Sequence, residues 1–82
     1  MNYYFVYLIG SIKSRKLKTY VGYTNNLKNR LNLHNTSKGA KFTRGRKWKL
    51  IYYELYHTRS EAMKNEYKLK KNYILRNKLK NQ

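Results

Sequence analysis

Residues 3–10, Tyr-Tyr-Phe-Val-Tyr-Leu-Ile-Gly, constrain the fold more than any other stretch of the chain. They are aromatic and β-branched almost throughout, which is strand chemistry. Alternation with a period of two puts Tyr3, Phe5, Tyr7 and Ile9 on one face and Tyr4, Val6 and Leu8 on the other. Both faces therefore need cover, and the segment is expected as a central strand. A chain of 82 residues has room for one domain, residues 1–82, and one small core. Chains near this size bury only about 60% of their unfolded surface, so every apolar position is needed.

The segment Ser-Ile-Lys-Ser-Arg-Lys-Leu-Lys (11–18) reads as a basic hairpin loop, and residues 19–24 as the returning strand. Gly22 inside that strand suggests a bulge or the close approach of another backbone. Thr24, Asn25 and Asn26 offer N-cap side chains for a helix from Leu27 to His34, with Leu27, Leu31 and His34 on one face and Arg30 at its border. Residues 35–47, rich in Gly, Ser/Thr and Lys/Arg, read as a loop, and residues 48–56 as a third strand. Ser60 is placed to cap a helix over 60–74, with Glu61 in the first turn where the helix dipole favours an acid. From Arg76 onward the tail is polar and basic and is expected to fray. The order β-β-α-β-α implies an α+β fold: a small three-stranded antiparallel sheet flanked by helices.

The helix over 60–74 carries an anomaly. At about 100° per residue, Ala62, Glu66, Leu69 and Tyr73 form one stripe, with Met63 and Ile74 on its shoulder. Lys64, Lys68, Lys71 and Asn72 face away. Glu66 thus sits in the face that packs on the core, where an unpaired carboxylate is costly. A lysine, an arginine or a metal ion should meet it, as a salt bridge at the edge of the core or as a functional acid.

Composition narrows the chemistry. Twenty Lys and Arg against three acids give a formal charge of +17, which points first to phosphate backbones rather than to a membrane surface. No apolar run approaches the roughly 20 residues of a membrane span. The first ten residues lack the basic region and cleavage site of a signal peptide, so a cytoplasmic location is expected. There is no cysteine, hence no disulfide and no thiol nucleophile. There is no aspartate, and the glutamates are only Glu54, Glu61 and Glu66. Two-metal phosphodiester chemistry wants several converging carboxylates, which this chain can hardly supply. His34 and His57 provide poorly for zinc. A hydrolase built from this chain works with at most one metal and few acids.

Tyr7 and Tyr20 fall on paired strands, Arg30 and His34 on the helix that follows, and Glu66 on the later helix. In this set the sequence resembles the GIY-YIG nuclease family, known from the N-terminal half of UvrC-type excision nucleases and from homing endonucleases. Phe5-Val6-Tyr7 corresponds to the GIY element and Tyr20-Val21-Gly22 to the YIG element. The segment Thr24 to His34 matches the pattern T-x-x-L-x-x-R-x-x-x-H, and Glu66 matches the family's single metal-binding glutamate. Residues 38–46 and 66–71 are similar to short stand-alone bacterial members. The resemblance runs from Tyr4 to about Leu79. The first triplet lacks its glycine and isoleucine but keeps its tyrosine, and Lys47-Trp48 stands where many short members have a proline.

The resemblance implies a metal-dependent DNA endonuclease. Glu66 would hold one Mg²⁺ or Mn²⁺, which polarises the scissile phosphate and stabilises the leaving oxygen. Tyr7 or Tyr20 would orient or deprotonate the attacking water; a tyrosine pKa near 10 makes a poor base unless nearby cations depress it. Arg30 would clamp the phosphate as a bidentate donor. His34 would contact the phosphate or hold a tyrosine in place. Without the family pattern each residue has a plainer reading: strand tyrosines pack, Arg30 is a solvated charge, and His34 serves a helix end.

The loop cations Lys38, Lys41, Arg44, Arg46 and Lys47, with Lys49, form a candidate phosphate-tracking patch. Phe42 and Trp48 could stack on unpaired bases, although Trp48 more simply starts the core of the third strand. No base-reading element such as a recognition helix is evident. Specificity is then expected from DNA structure (branched, nicked or single-stranded, with RNA also open), from a protein partner, or from dimerisation of a chain otherwise monomeric. The competing functions are a non-catalytic nucleic-acid-binding module of the same fold and a ribosome- or RNA-associated basic protein.

Overall fold

β1 (Tyr4–Lys13) is the middle strand of a three-stranded antiparallel sheet, between β2 (Lys16–Thr24) and β3 (Lys49–Tyr56). The computed structural model describes residues 3–13 and 15–80, with Lys80 as backbone alone; Met1, Asn2, Ser14 of the basic hairpin, and Asn81 and Gln82 of the tail lie outside the described residues. Around the sheet are α1 (Leu27–Asn35), a single 3-10 turn at Lys41–Thr43, α2 (Arg59–Lys71) and α3 (Tyr73–Lys80). The expected order β-β-α-β-α holds, with one helix added at the end.

Both faces of β1 are covered, by different layers. Val6 and Leu8 pack with Val21, Ala62, Leu69 and Leu79 beneath α2 and α3. Tyr7 and Ile9 pack with Trp48 on the opposite face, where Leu27 and Leu31 of α1 close the layer. A fully buried aliphatic side chain of this size contributes roughly 1.5–3 kcal/mol, so Leu8 and Ile9, back to back on one strand, anchor two small cores.

Four local readings are corrected. The hairpin expected as a loop over 11–18 is mostly paired strand, because the register runs on through Ile12↔Leu17 to Lys13↔Lys16. Arg15 takes φ +65°, as the tight turn of such a ribbon requires. Gly22 marks no bulge; the irregularity in the sheet lies between Leu8 and Ile9 against β3. What approaches Gly22 closely is the Tyr7 side chain. Thr58, not Ser60, caps α2: its Oγ1 accepts from the Glu61 N–H at 3.1 Å and donates to Glu61 Oε1 at 3.0 Å.

The fourth correction concerns the C-terminal end. The helix over 60–74 stops at Asn72, whose N–H closes α2 on Lys68 and Leu69 while its Oδ1 accepts from the Leu75 N–H at 3.0 Å. One asparagine thus ends one helix and caps the next. Tyr73 and Ile74 consequently leave the stripe and are 65% and 80% exposed. The tail expected to fray from Arg76 is helix α3, pinned by buried Leu79.

Candidate active site

An open cleft of about 410 Å³ gathers Tyr7 from β1, Tyr20 and Gly22 from β2, Arg30 from α1, and Arg59 and Glu66 from α2. Tyr4, Tyr23, Thr24 and Asn25 complete its wall. The strand pairing that sets Tyr7 opposite Gly22 is what lets the tyrosine fit: a Cβ at Gly22 would lie 2.6 Å from Tyr7 Cζ and closer still to the hydroxyl. α1 is fixed at its start by Asn26, whose Oδ1 accepts from the Asn29 N–H at 3.0 Å, and Thr24 Oγ1 accepts from the Asn26 N–H at 3.1 Å. That capped first turn points Arg30 into the cleft and leaves His34 one turn further on, buried behind Tyr7.

The hydrogen bonds around His34 favour one tautomer. Thr43 Oγ1 donates to the Ala40 carbonyl at 2.8 Å, so toward His34 it can only accept, and Nδ1 of the ring, 2.8 Å away, carries the proton. Nε2 then offers a lone pair, and Tyr7 donates its phenolic proton to it at 2.9 Å. Burial lowers the His34 pKa, and the Arg30 guanidinium lowers it further, so the ring is neutral. Burial raises the Tyr7 pKa well above the phenol's ordinary value; Tyr20 and Glu66 add to that rise, and Arg30 only partly counters it. The condition for a free phenolate base, a pKa depressed by nearby cations, is therefore not met at Tyr7, where desolvation wins.

The loop over 36–48 supports this arrangement. Gly39 lies flat on the imidazole, where a Cβ would come within 3.0 Å of ring carbons. Thr43 is fully buried beneath the ring, and the Trp48 indole N–H donates to the Thr43 carbonyl at 2.8 Å. Neither Gly39 nor Thr43 announces itself in the sequence, because their partner is a side chain on a preceding helix. Arg59 was equally unmarked among twenty basic residues. It sits in the first turn of α2, hydrogen-bonds Tyr23, and reaches the cleft.

Glu66 is 18% exposed and pairs with Lys70 one turn along α2, Nζ to Oε1 3.2 Å. Lys70 is 51% exposed, and a solvated pair of this kind is worth little. Among the described residues no cluster of three or more His, Cys, Asp or Glu forms a metal cage. Glu66 is the acidic residue that lines the cleft, and a single carboxylate could hold an ion only as part of a mostly hydrated shell.

The loop cations divide. Lys38, Lys41, Arg44 and Lys47 are exposed, and none lines the cleft. Arg46 is engaged internally: its guanidinium donates to the carbonyls of Ser11 at 3.0 Å and Lys16 at 3.2 Å and lies over the Trp48 ring. It ties the loop to the hairpin rather than presenting a free charge. Trp48, 3% exposed, belongs to the core.

The GIY-YIG catalytic domain family matches residues 3–80. This chain belongs to the GIY-YIG family. A UPF0213 protein of Oceanobacillus iheyensis is 44% identical over 68 residues, which cover 82% of this chain and 76% of that one. A UPF0213 protein of Clostridium perfringens is 42% identical over 72 residues, covering 87% and 72%. One of Staphylococcus epidermidis is 41% identical over 81 residues, covering 98% and 94%. No solved structure matches the chain. The GIY-YIG assignment agrees with the antiparallel sheet and its flanking helices. Among the described residues, no helix is long and apolar enough to cross a membrane.

Proposed function

We propose that this GIY-YIG protein is a cytoplasmic, metal-dependent DNA endonuclease that hydrolyses phosphodiesters in repair or processing, choosing substrates by structure. The observation that carries the reading is Tyr7 in one cleft with Tyr20, Arg30 and Glu66, its proton already directed at a neutral histidine.

In this reading Arg30 clamps the scissile phosphate and the charge that develops on it. Tyr7 accepts a proton from the attacking water as it passes its own to His34 Nε2, so no free phenolate is required. The imidazolium that results keeps its Nδ1–H on Thr43. Phosphate bound to Arg30 offsets one of the two causes that hold His34 neutral, and so assists the transfer. Tyr20, packed against both the Tyr7 and His34 rings, orients the water. Glu66 would hold one Mg²⁺ or Mn²⁺, which when bound supplies charge to the phosphate and the leaving oxygen. The exposed cations Lys38, Lys41, Arg44 and Lys47 would track the backbone on either side.

The second reading, a binding module that does not cut, has one observation in its favour: Lys70 gives Glu66 a structural partner. A panel of labelled single-stranded, nicked, flap, branched and duplex DNA, and RNA, with Mg²⁺, Mn²⁺ or EDTA, separates the two. Metal-dependent cutting, abolished by Glu66→Gln and by Arg30→Ala while Glu66→Gln still binds, supports the nuclease. Salt-sensitive binding without cutting, unchanged in Glu66→Gln, supports the module.

A further inference from the structure

Phe42 is 53% exposed at the head of the loop that supports His34, and its ring stacks on Tyr20, a wall residue of the cleft. The two rings lie 6.0 Å apart between centroids and 24° from parallel. Trp48 packs against the same phenylalanine from the core side at 6.4 Å. An exposed phenylalanine alone needs no explanation. This one continues, outward from the reacting centre, a series of aromatic rings that runs from His34 through Tyr20 to the surface.

Its surroundings are uniformly cationic. Residues 1–53 contain no acid at all, so β1, β2, α1 and the loop form a half of the molecule with positive charge only. Lys41 and Arg44 flank Phe42 at the 3-10 turn, and the exposed Lys18 holds its ammonium 5.5 Å from the ring centroid. That lysine contact is weak at the surface. A ligand with a flat π-face and an adjoining negative charge satisfies both components better, since it covers the ring and gives the lysine an anion. A nucleotide whose base is unpaired has both; a base inside a duplex does not expose its face.

We infer that Phe42 is a stacking platform for an unpaired nucleobase beside the scissile phosphate, and that it directs the site toward single-stranded nucleic acid or single-stranded segments of branched DNA. This rests on the cleft being the nucleic-acid site. Lys18 would turn to the phosphate of the stacked nucleotide, and Tyr20 would pass the position of the platform on to the cleft.

The test uses the full chain carrying Glu66→Gln, so that binding is read without cutting. Probes are single-stranded DNA, single-stranded RNA and blunt duplex DNA of equal length, with 2-aminopurine at successive positions of the single strands. Base–aromatic stacking predicts that Phe42→Ala weakens single-strand binding roughly 5- to 100-fold, leaves duplex binding within about twofold, and abolishes 2-aminopurine quenching at one position. Phe42→Trp should restore all three, and Phe42→Leu, which keeps apolar bulk without a π-face, should not. The DNA and RNA arms show which strand the platform takes. Rescue by Phe42→Leu, or equal losses on single strand and duplex, would overturn the platform and make Phe42 a packing residue for Tyr20. In the Glu66 parent background, cutting with an unchanged substrate preference in Phe42→Ala would overturn the platform and leave the nuclease standing. Quenching without cutting would do the reverse, and no binding to any probe would overturn both.

Discussion

The Tyr7 phenol occupies the space that a side chain at Gly22 would take, across the β1–β2 pairing. The glycine is required by a neighbour and not by its own backbone conformation. Gly22→Ala must therefore displace Tyr7 from His34 or push the strands apart. Overpacking of this kind costs about 1–3 kcal/mol. Thermal unfolding should show that loss. Under the proposed chemistry, cleavage should fall on the order of 100-fold, as for other small misplacements of a reacting group.

Thr43 offers a cleaner test of the proposed proton path. Thr43→Val keeps the shape but removes the acceptor for the His34 Nδ1–H, leaving a buried donor unmatched at a cost of about 1–3 kcal/mol. Thr43→Ser keeps the oxygen. Urea unfolding should separate the two variants by that amount. Under the proposed chemistry, the turnover rate should fall in the valine variant and recover in the serine one, with nucleic-acid affinity unchanged in both.

Acid sensitivity follows from His34. Its folded pKa lies below the ordinary 6.5, so the unfolded chain binds the proton more readily. The contribution is fully present above pH 6.5 and is lost as pH falls from there toward the lowered folded value. Unfolding midpoints measured between pH 8 and pH 5 should hold steady and then decline. His34→Gln, which takes up no proton, should flatten that decline; an identical profile in the variant would refute the assignment.

Lys70 and a metal ion compete for Glu66 under the proposed reading. Lys70→Met should lower the half-saturating Mg²⁺ or Mn²⁺ concentration roughly twofold, the scale of an exposed i,i+4 pair. Stability should change by less than about 1 kcal/mol. A metal titration of cleavage checks the first effect and a melting curve the second.

Leu79→Ala should cost about 2–4 kcal/mol, because Leu79 is buried against the α2 face of the sheet. A fraying tail would give no measurable change in the unfolding midpoint. The result separates a structural α3 from an appended one.

The contrast between Leu8 and Leu79 shows what a sequence of this kind discloses. Leu8 lies in a run whose alternation leaves no polar face, so a central strand follows from local pattern alone. Leu79 is a single leucine in a basic tail, buried only because Asn72 breaks the helix and turns α3 back onto the sheet. No proline or glycine marks that break, and Tyr73 and Ile74 extend the apolar stripe past it. The hairpin was obscured in the same way: four basic residues outweighed Ile12 and Leu17, although backbone pairing ignores side-chain charge. The candidate residues Tyr7, Tyr20, Arg30 and Glu66 were readable through the family pattern, and the structure sets them around one cleft. Thr43 and Gly39 were not, since their significance arises only when the loop closes over His34. Arg46 was legible as a charge but not as a clasp for the hairpin.

β1 serves two masters by parity: even-numbered Val6 and Leu8 belong to the scaffold, and odd-numbered Tyr7 and Ile9 to the layer that carries the candidate site. A slip of one residue in its pairing would bury Tyr7 under α2 and hand Leu8 to His34. Insertions and deletions within the strand should thus be far less tolerated than substitutions, and in descendants of this chain length should drift in the loops while the spacing from Val6 to Ile9 stays fixed. The candidate site is inherited as a counting rule as much as a set of side chains.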